Sequence, residues 1–302
     1  MSKNASRNSN ASRNSKEIMN IEEIAVIGAG TMGHGIAQVA AQSGYRVVLA
    51  DVSEEFTARG LKKIEENLKK GVERGKVTAA EMSEAISRVR TTTDLQEAGR
   101  SANLVIEAVV ENLEAKHDIF SRLDRICPAD TILATNTSSL SIESIASPTS
   151  RRDRVIGMHF FNPVHIMKLI EVVVAPETSD ETLAVALAVA ERMGKEAITV
   201  KDAPGFATSR LGVALGLEAM RMLESGVASP EDIDKAMVLG YNHPMGPLRL
   251  TDLVGLDIRL NIADYLFEKL GSEVFRSPDI LRRKVSEGKL GKKTGEGFYK
   301  WD

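Results

Sequence analysis

Apolar positions form short runs in the earlier part of the chain and a purely helical pattern toward its end. The run at 21–28 predicts a buried strand, and the pattern at 31–43 predicts a helix. A second buried strand is predicted at 45–50, ending at Asp51. Further strand-like runs occupy residues 104–110, 131–134, 155–160 and 169–175, most of them separated by helical patterns. Strands that alternate with helices predict an α/β fold with a parallel, doubly wound sheet.

Two segments depart from this alternation. Residues 53–88 predict two helices, inserted as a long helical hairpin into one crossover. The apolar positions behind this prediction are Leu61, Ile64, Leu68 and Val72. From Asp202 onward only helical patterns occur before a loop-like end. We therefore expect a first domain over 21–202 and an all-α C-terminal domain over 203–302.

The first twenty residues contain almost no apolar side chains, and the hexapeptide at 4–9 repeats unchanged at 10–15. Such a segment buries too little surface to offset the entropy lost on ordering, so it predicts a disordered tail over 1–20. A transit peptide would share the Ser and Arg content, but it needs an amphipathic apolar face that this segment lacks.

Composition and charge narrow the class of protein. The 302 residues carry a net charge of -3, which gives no electrostatic reason to expect a nucleic acid or an anionic membrane as partner. No apolar run approaches the roughly 18 residues of a spanning helix. No cluster of His, Cys and carboxylates has metal-site spacing. Cys127 is the only cysteine, which suits a reducing compartment. We expect a cytoplasmic protein without a metal, with the mitochondrial matrix as the less favoured alternative.

A glycine turn lies between the first predicted strand and the first predicted helix, with the sequence Gly-Ala-Gly-Thr-Met-Gly at 28–33. In this strand–turn–helix context the spacing is typical of a Rossmann-type dinucleotide site, although glycines can also serve a turn that binds nothing. Asp51 ends the next strand, where a carboxylate accepts hydrogen bonds from ribose hydroxyls and repels a 2′-phosphate. Since neither Val52 nor Ser53 is a cation, NAD is favoured over NADP. The predicted contacts in the turn are Gly28, Gly30, Thr31, Met32 and Gly33.

A second group of polar side chains lies in apolar surroundings near 156–171. His159 is at the end of one strand-like run, a Pro-containing turn follows, and Glu171 lies within the next run. A carboxylate in apolar surroundings needs a partner, and a histidine held by a carboxylate is suited to general acid/base chemistry near neutral pH. A structural histidine beside an edge-strand glutamate would produce the same pattern.

Four motifs give the chain a family resemblance. They are Glu-Ala-Val-Val-Glu-Asn-Leu at 107–113, Asn-Thr-Ser-Ser-Leu at 136–140, His-Phe-Phe-Asn-Pro-Val at 159–164 and Gly-Lys-Lys-Thr-Gly-Glu-Gly-Phe-Tyr at 291–299. With them the chain resembles the L-3-hydroxyacyl-CoA dehydrogenases from about Ile21 to Trp301, most of all the bacterial 3-hydroxybutyryl-CoA dehydrogenases. The resemblance implies an NAD-binding domain, a helical C-terminal domain that forms a homodimer, and interconversion of a short-chain (S)-3-hydroxyacyl-CoA with its 3-ketoacyl-CoA.

The resemblance also implies roles for individual residues. His159 matches the catalytic base, Glu171 its orienting carboxylate, and Ser138 the serine that hydrogen-bonds the reacting C3 oxygen. Taken alone, the sequence around Ser138 favours a helix N-cap over an active-site serine, because a helical pattern with Glu143 follows it. The residues that match positions near the cofactor are Glu111, Lys116, Asn162 and Lys293. By sequence alone, the three charged residues are more typical of a solvated surface than of a ligand site. Asn162 is more typical of a residue that shapes the turn before Pro163.

The helical hairpin is where the family holds part of the CoA. Asn67 and Arg74 match its contacts there, although interleaved acidic residues make an ordinary mixed-charge helix face a close alternative. Ser209 departs from the family pattern, since an active-site Asn is expected at this position. It keeps a donor and an acceptor but loses the reach of the amide, which puts the polar contacts of the substrate in doubt.

Three hypotheses follow. The first is a 3-hydroxyacyl-CoA dehydrogenase with an acyl-CoA substrate. A second is a dehydrogenase of the same architecture that acts on a free hydroxy acid or sugar acid, and the helical hairpin speaks against it. The third is a non-catalytic NAD-binding protein. The presence of His159, Glu171 and Ser138 argues against this hypothesis, and the departure at Ser209 leaves it open.

Overall fold

The computed structural model describes residues 20–301, so the tail predicted at 1–20 lies outside the described residues except for Asn20. The described chain divides into two compact units. The first comprises residues 20–136 and 142–199, and the second comprises residues 137–141 and 200–301.

The first unit is organised by one sheet. Its strands are β1 (Glu23–Ile27), β2 (Arg46–Ala50), β3 (Val89–Thr92), β4 (Leu104–Glu107), β5 (Ile132–Thr135), β6 (Val155–Phe160), β7 (Leu169–Val174) and β8 (Glu196–Lys201). Their order across the sheet is β3-β2-β1-β4-β5-β6-β7-β8. Chain order reverses at β1, so the predicted doubly wound topology is confirmed, and the loops after β1 and β4 border the crevice where ligands bind in such sheets.

The sheet is mostly parallel, as predicted, with one antiparallel pair of strands. β1 to β6 pair in parallel, whereas β6 and β7 are antiparallel. The segment that joins them, 161–168, is a short turn, and a parallel crossover needs a dozen or more residues. The Pro-containing turn thus makes a hairpin of these two strands.

Two strands were not predicted. β3 reads Val-Arg-Thr-Thr, and β8 has exposed or half-buried residues throughout. Both lie at the edges of the sheet, where the apolar surroundings that produce a recognisable run are missing. Edge strands of this kind carry a weak hydrophobic pattern, so periodicity did not find them.

Helices cover the sheet of the first unit. They are α1 (Thr31–Gln42), α2 (Glu54–Glu73), α3 (Ala79–Ser87), α4 (Leu95–Gly99), α5 (Leu113–Ile126), α6 (Ile142–Ala146) and α7 (Asp180–Arg192). α2 and α3 confirm the predicted helical hairpin. The side chain of Ser53 caps α2, and Thr78 and Glu81 form a capping box at α3.

The second unit is helical in its described part. Its helices are α8 (Thr208–Glu224), α9 (Pro230–Gly240), α10 (Pro247–Val254), α11 (Leu256–Leu270) and α12 (Asp279–Ser286). They enclose their own core, with Val213, Leu248 and Leu256 among the most deeply buried side chains. No helix within residues 20–301 is long and apolar enough to cross a membrane.

One buried carboxylate fastens the end of the chain to these helices. Asp252 accepts hydrogen bonds from the amides of Phe298 and Tyr299 and from Nε1 of Trp301, at 2.8–2.9 Å. Cβ atoms added at the glycines at 291 and 297 would overlap Asp252. The 291–299 motif therefore forms a clasp in which glycine is required for close approach.

Candidate active site

The glycine turn lies at the reversal point of the sheet. Gly28 has φ 105°, and a Cβ there would lie 2.6 Å from the carbonyl oxygen of Ala108, in the loop after β4. A Cβ on Gly33 would overlap the carbonyl oxygen of Gly28, so the start of α1 packs directly on the turn. Gly30 is the N-cap of α1, and a Cβ there would meet no atom within 4 Å. The turn is closed on its protein side and open in front of the first amides of α1, as a pyrophosphate requires.

Asp51 directly follows β2 and lies beside this turn. Its Oδ2 accepts a hydrogen bond from the Ala29 amide and its Oδ1 one from the Val52 amide, both at 2.7 Å. A cavity at the carboxyl ends of β1, β2 and β4 has Asp51 in its wall. It is lined by Ile27, Gly28, Ala50, Asp51, Val52, Thr93, Leu95, Val109, Ile119 and Arg122. The lining is mostly apolar and includes one carboxylate, a composition that suits the adenosine part of a dinucleotide.

Sequence reasoning missed Arg122, which lies on α5 and brings a cation to the cavity that contains Asp51. Its Nη1 lies 3.4 Å from Oδ2 of Asp118, one helical turn earlier. The i,i+4 spacing of the two residues is visible in the sequence. It marks only a helix surface pair, and nothing in it indicates that the arginine borders the cavity.

Lys116 is buried, with 1% of its side chain exposed, so its interpretation as a solvated surface charge is wrong. Its Nζ donates to both oxygens of Glu107, at 2.7 and 3.0 Å. Glu107 also accepts hydrogen bonds from Thr135 Oγ1 and from the Val109 amide. Glu111 is partly exposed, with Oε2 at 3.3 Å from the same Nζ. The buried pair thus fixes the loop after β4, beside the glycine turn.

His159 and Glu171 lie directly opposite each other across the β6–β7 hairpin. Nδ1 of His159 is 2.7 Å from Oε2 of Glu171, both side chains are buried, and the imidazole packs against the ring of Phe161. The expected partner of the buried carboxylate is confirmed. Because an ionised carboxylate accepts the proton of Nδ1, the lone pair of the imidazole lies on Nε2.

Asn136 and Asn162 lie near the ends of β5 and β6. The Asn136 side-chain oxygen accepts a hydrogen bond from the Phe160 amide at 2.8 Å, which ties the 136–140 motif to the strand that carries His159. Asn162 is exposed, and its peptide bond to Pro163 is cis.

The second unit holds three more of the residues singled out in the sequence. Ser209 Oγ donates to the carbonyl oxygen of Ser138 at 3.2 Å. α6 begins at Ile142, so Ser141 immediately precedes it and Ser138 does not. Lys293 pairs with Asp257, its Nζ lying 2.6 and 2.7 Å from the two carboxylate oxygens. This pair holds Lys293 at the start of α11.

The helical hairpin presents the two residues matched to CoA. The amide nitrogen of Asn67 donates to Oε1 of Gln38 on α1 at 3.2 Å, and Arg74 is exposed at the end of α2. Within residues 20–301, no group of three or more His, Cys, Asp or Glu side chains could hold a metal ion.

Comparison with known proteins agrees with this architecture. The model of the 3-hydroxyacyl-CoA dehydrogenase NAD binding domain matches residues 23–203, and that of the C-terminal domain matches 205–301. The chain is 49% identical to a probable 3-hydroxybutyryl-CoA dehydrogenase of Bacillus subtilis, over 93% of this chain and 97% of the relative. It is 46% identical to the human mitochondrial hydroxyacyl-coenzyme A dehydrogenase, over 92% of this chain and 90% of the relative.

Comparison with a solved structure supports the same family. The (S)-3-hydroxybutyryl-CoA dehydrogenase of Ralstonia eutropha superposes with a TM-score of 0.91 at 40% identity, covering 94% of this chain and 100% of the other. The chain therefore belongs to the 3-hydroxyacyl-CoA dehydrogenase family, with that family's NAD-binding domain followed by its C-terminal domain.

Proposed function

We propose that this protein interconverts short-chain (S)-3-hydroxyacyl-CoA and 3-ketoacyl-CoA with NAD, 3-hydroxybutyryl-CoA and acetoacetyl-CoA being the expected pair. The observation that carries the proposal is the buried His159–Glu171 pair, which a chain of this family places on the hairpin after its NAD-binding strands. Oxidation of a secondary alcohol needs a base for the hydroxyl proton, and this pair supplies one.

The proposed chemistry uses His159 as the group that moves the proton. NAD, when bound, accepts the hydride from C3 of the alcohol. Nε2 of His159 takes the hydroxyl proton, and Glu171 stabilises the imidazolium through Nδ1. In the reverse direction the imidazolium returns the proton to the ketone oxygen. We propose that the Ser138 hydroxyl hydrogen-bonds this oxygen, on the strength of its place in the 136–140 motif.

The remaining proposed contacts follow the family resemblance and the geometry of each unit. For the cofactor they are the 28–33 turn, Asp51, Glu111, Lys116, Asn162 and Lys293. The open space in front of Gly30 supports a cofactor contact by the 28–33 turn. The cavity beside Asp51 supports a contact by that carboxylate. Asn67 and Arg74 are the proposed CoA contacts on α2. We retain residue 202 as the proposed boundary between the dinucleotide-binding and helical domains.

Oxidation of NADH by purified protein, followed at 340 nm, tests the proposal. We expect turnover with acetoacetyl-CoA, little with free acetoacetate, and a clear preference for NADH over NADPH. Protein that binds NADH but leaves acetoacetyl-CoA unreacted would refute the proposed activity. Turnover of acetoacetate at a comparable rate would instead favour a free hydroxy acid as substrate.

We also propose a homodimer formed through the C-terminal domain and a cytoplasmic location. Exposed apolar side chains of the second unit support the first point: Leu211, Leu250, Leu253, Val254 and Ile258. The single, buried cysteine supports the second. Light scattering of the purified protein should give twice the 32.8 kDa chain mass. Loss of that dimer in Leu211→Glu would place the interface on α8.

A further inference from the structure

One arginine of the second unit is buried without a hydrogen-bond acceptor. Arg259 lies on α11 and is only 7% exposed. Its Nε is buried without a hydrogen-bond partner, and its guanidinium forms no ion pair with any residue within 20–301. Burial alone lowers its pKa to about 10. A guanidinium carries five N–H donors and stays charged at neutral pH, so burying it without acceptors is costly.

The acidic side chains nearest to Arg259 in sequence have other partners. Asp252 on α10 holds the end of the chain. Asp257 pairs with Lys293, and Asp264 accepts hydrogen bonds from a serine hydroxyl and from a second arginine. None of these carboxylates compensates the charge of Arg259. A bound anion would supply the missing counter-charge.

A glycine on α8 determines where the guanidinium lies. A Cβ on Gly212 would be 3.2 Å from Nη1 and 3.7 Å from Nη2 of Arg259. Both terminal nitrogens therefore lie against helix backbone that carries no side chain. Ser209 precedes Gly212 by three residues, a spacing that places two positions on one helix face with Cβ atoms about 5–6 Å apart. Nη1 of Arg259 is thus within about 9 Å of the Cβ of Ser209.

Ser209 links this position to the proposed reaction. Its Oγ donates to the carbonyl oxygen of Ser138 at 3.2 Å, and both serines belong to the second unit with Arg259. Ser138 is the proposed hydrogen-bond donor to the reacting C3 oxygen, so the acyl group is the part of the substrate nearest to the guanidinium. A carboxylate is the anion that fits there, because its two oxygens match the fork of an arginine in a bidentate pair.

We propose that Arg259 is a specificity-determining residue that binds a carboxylate at the far end of the acyl chain, so that the substrates include CoA monothioesters of dicarboxylic acids. This inference rests on the proposed function and narrows its substrate class. A carboxylate compensates the buried charge, whereas a methyl group at the same place leaves the charge unpaired. Acetoacetyl-CoA is too short to displace water from the guanidinium, so we expect it to remain a substrate.

Kinetics with a matched pair of thioesters test the proposal. The acyl chains of 3-ketoadipyl-CoA and 3-ketohexanoyl-CoA have equal length and end in a carboxylate and a methyl group. We expect the wild-type kcat/KM to favour the carboxylate about 10- to 100-fold, the usual contribution of a hydrogen bond to a charged group. Arg259→Met should abolish this preference by lowering kcat/KM for 3-ketoadipyl-CoA, with that for 3-ketohexanoyl-CoA nearly unchanged.

Three further variants sharpen the test. Gly212→Ala places a Cβ against Nη1 and should weaken the preference while the charge is kept. Arg259→Lys also keeps the charge but loses the bidentate fork, so its preference should be intermediate. Arg283→Met, at an exposed arginine on α12, is the matched control and should behave as the wild type. Equal kcat/KM for the two thioesters in the wild type, or a preference that Arg259→Met retains, would overturn the proposal.

Failure of this subsite and failure of the proposed activity give different results. Turnover of acetoacetyl-CoA without a preference for the charged acyl chain refutes the subsite alone. If no thioester is reduced, the activity is refuted, and calorimetry with the two thioesters still compares their affinities. Tighter binding of 3-ketoadipyl-CoA that Arg259→Met abolishes supports the subsite, and equal affinities contradict it.

Light scattering of Arg259→Met tests the remaining source of a counter-charge, which is a second copy of the chain. We expect the variant to keep the oligomeric state of the wild type. Dissociation of the variant would assign the guanidinium to a contact between copies and contradict the proposal.

Discussion

The two units of the molecule bury carboxylates with different partners. In the second unit, Asp234 and Asp252 accept hydrogen bonds from backbone amides, a tyrosine hydroxyl and an indole. In the first unit, Glu107 pairs with Lys116 and Glu171 pairs with His159. Amide, hydroxyl and indole donors hold the chain in place, but they do not exchange a proton near neutral pH. An ionisable side chain paired with a carboxylate can gain or lose a proton.

The two pairs of the first unit also differ from each other. Glu107 accepts hydrogen bonds from an ammonium, a hydroxyl and an amide, and none of these donor types ordinarily exchanges a proton near neutral pH. Imidazole is the side chain whose ordinary pKa lies near neutral, and the imidazole of His159 meets Glu171 through Nδ1. Of these four buried carboxylates, only Glu171 has a partner suited to proton transfer. A buried charge by itself therefore indicates structure as readily as catalysis.

The largest change in stability should come from breaking the Glu107–Lys116 pair. Lys116→Met leaves a buried carboxylate without its cation, and such a loss costs about 3–5 kcal/mol of unfolding free energy. Urea denaturation measures it. The double variant Glu107→Leu/Lys116→Met should recover most of the loss, and a double variant no more stable than Lys116→Met would show that the pair is not the cause.

Removal of the clasp carboxylate should have the next largest effect. Asp252→Ala leaves three donors of the final segment without their acceptor, at a cost of about 2–4 kcal/mol. The exposed Asp279 at the start of α12 provides a control, since Asp279→Ala should change stability by about 0.5 kcal/mol or less. Equal effects of the two substitutions in urea would contradict the structural role of Asp252.

The smallest effect concerns a buried cation, Arg259, for which residues 20–301 provide no carboxylate in an ion pair. Burial lowers the pKa of Arg259 to about 10, and its Nε has no hydrogen-bond partner among the residues that the structure describes. Unlike Lys116, it should be replaceable by an apolar side chain. Arg259→Met should leave stability unchanged or raise it by about 1 kcal/mol in thermal unfolding. A loss comparable to that of Lys116→Met would show that the guanidinium has a stabilising partner in solution.

Local sequence patterns predicted the strands and the helix that position the glycine turn, Asp51, His159 and Glu171. The apolar runs around Gly28 and Asp51 identified a strand–turn–helix–strand unit because parallel strands are buried on both faces. His159 and Glu171 could be paired because each is a polar side chain in an otherwise apolar strand. The antiparallel direction of those strands depended on the length of the turn, which the alternation of elements did not reveal.

Other features depend on packing that local patterns express weakly. The charged residues around Lys116 predict an exposed side chain, yet it shares a helix face with the buried Phe120 and Leu123. That spacing could have identified it. The contact of Ser209 with Ser138 joins residues 71 positions apart, and the cavity position of Arg122 depends on how α5 lies on the sheet. No local pattern carries that information.

The rate of acetoacetyl-CoA reduction by His159→Ala tests most directly whether the His159–Glu171 pair is catalytic. We expect kcat to fall by about 10²- to 10⁴-fold, the usual contribution of a general acid or base. NADH affinity and the melting temperature should stay near wild-type values, and His117→Ala should keep full activity. A variant that binds NADH normally and retains most of its kcat would contradict the assignment of His159 as the acid and base.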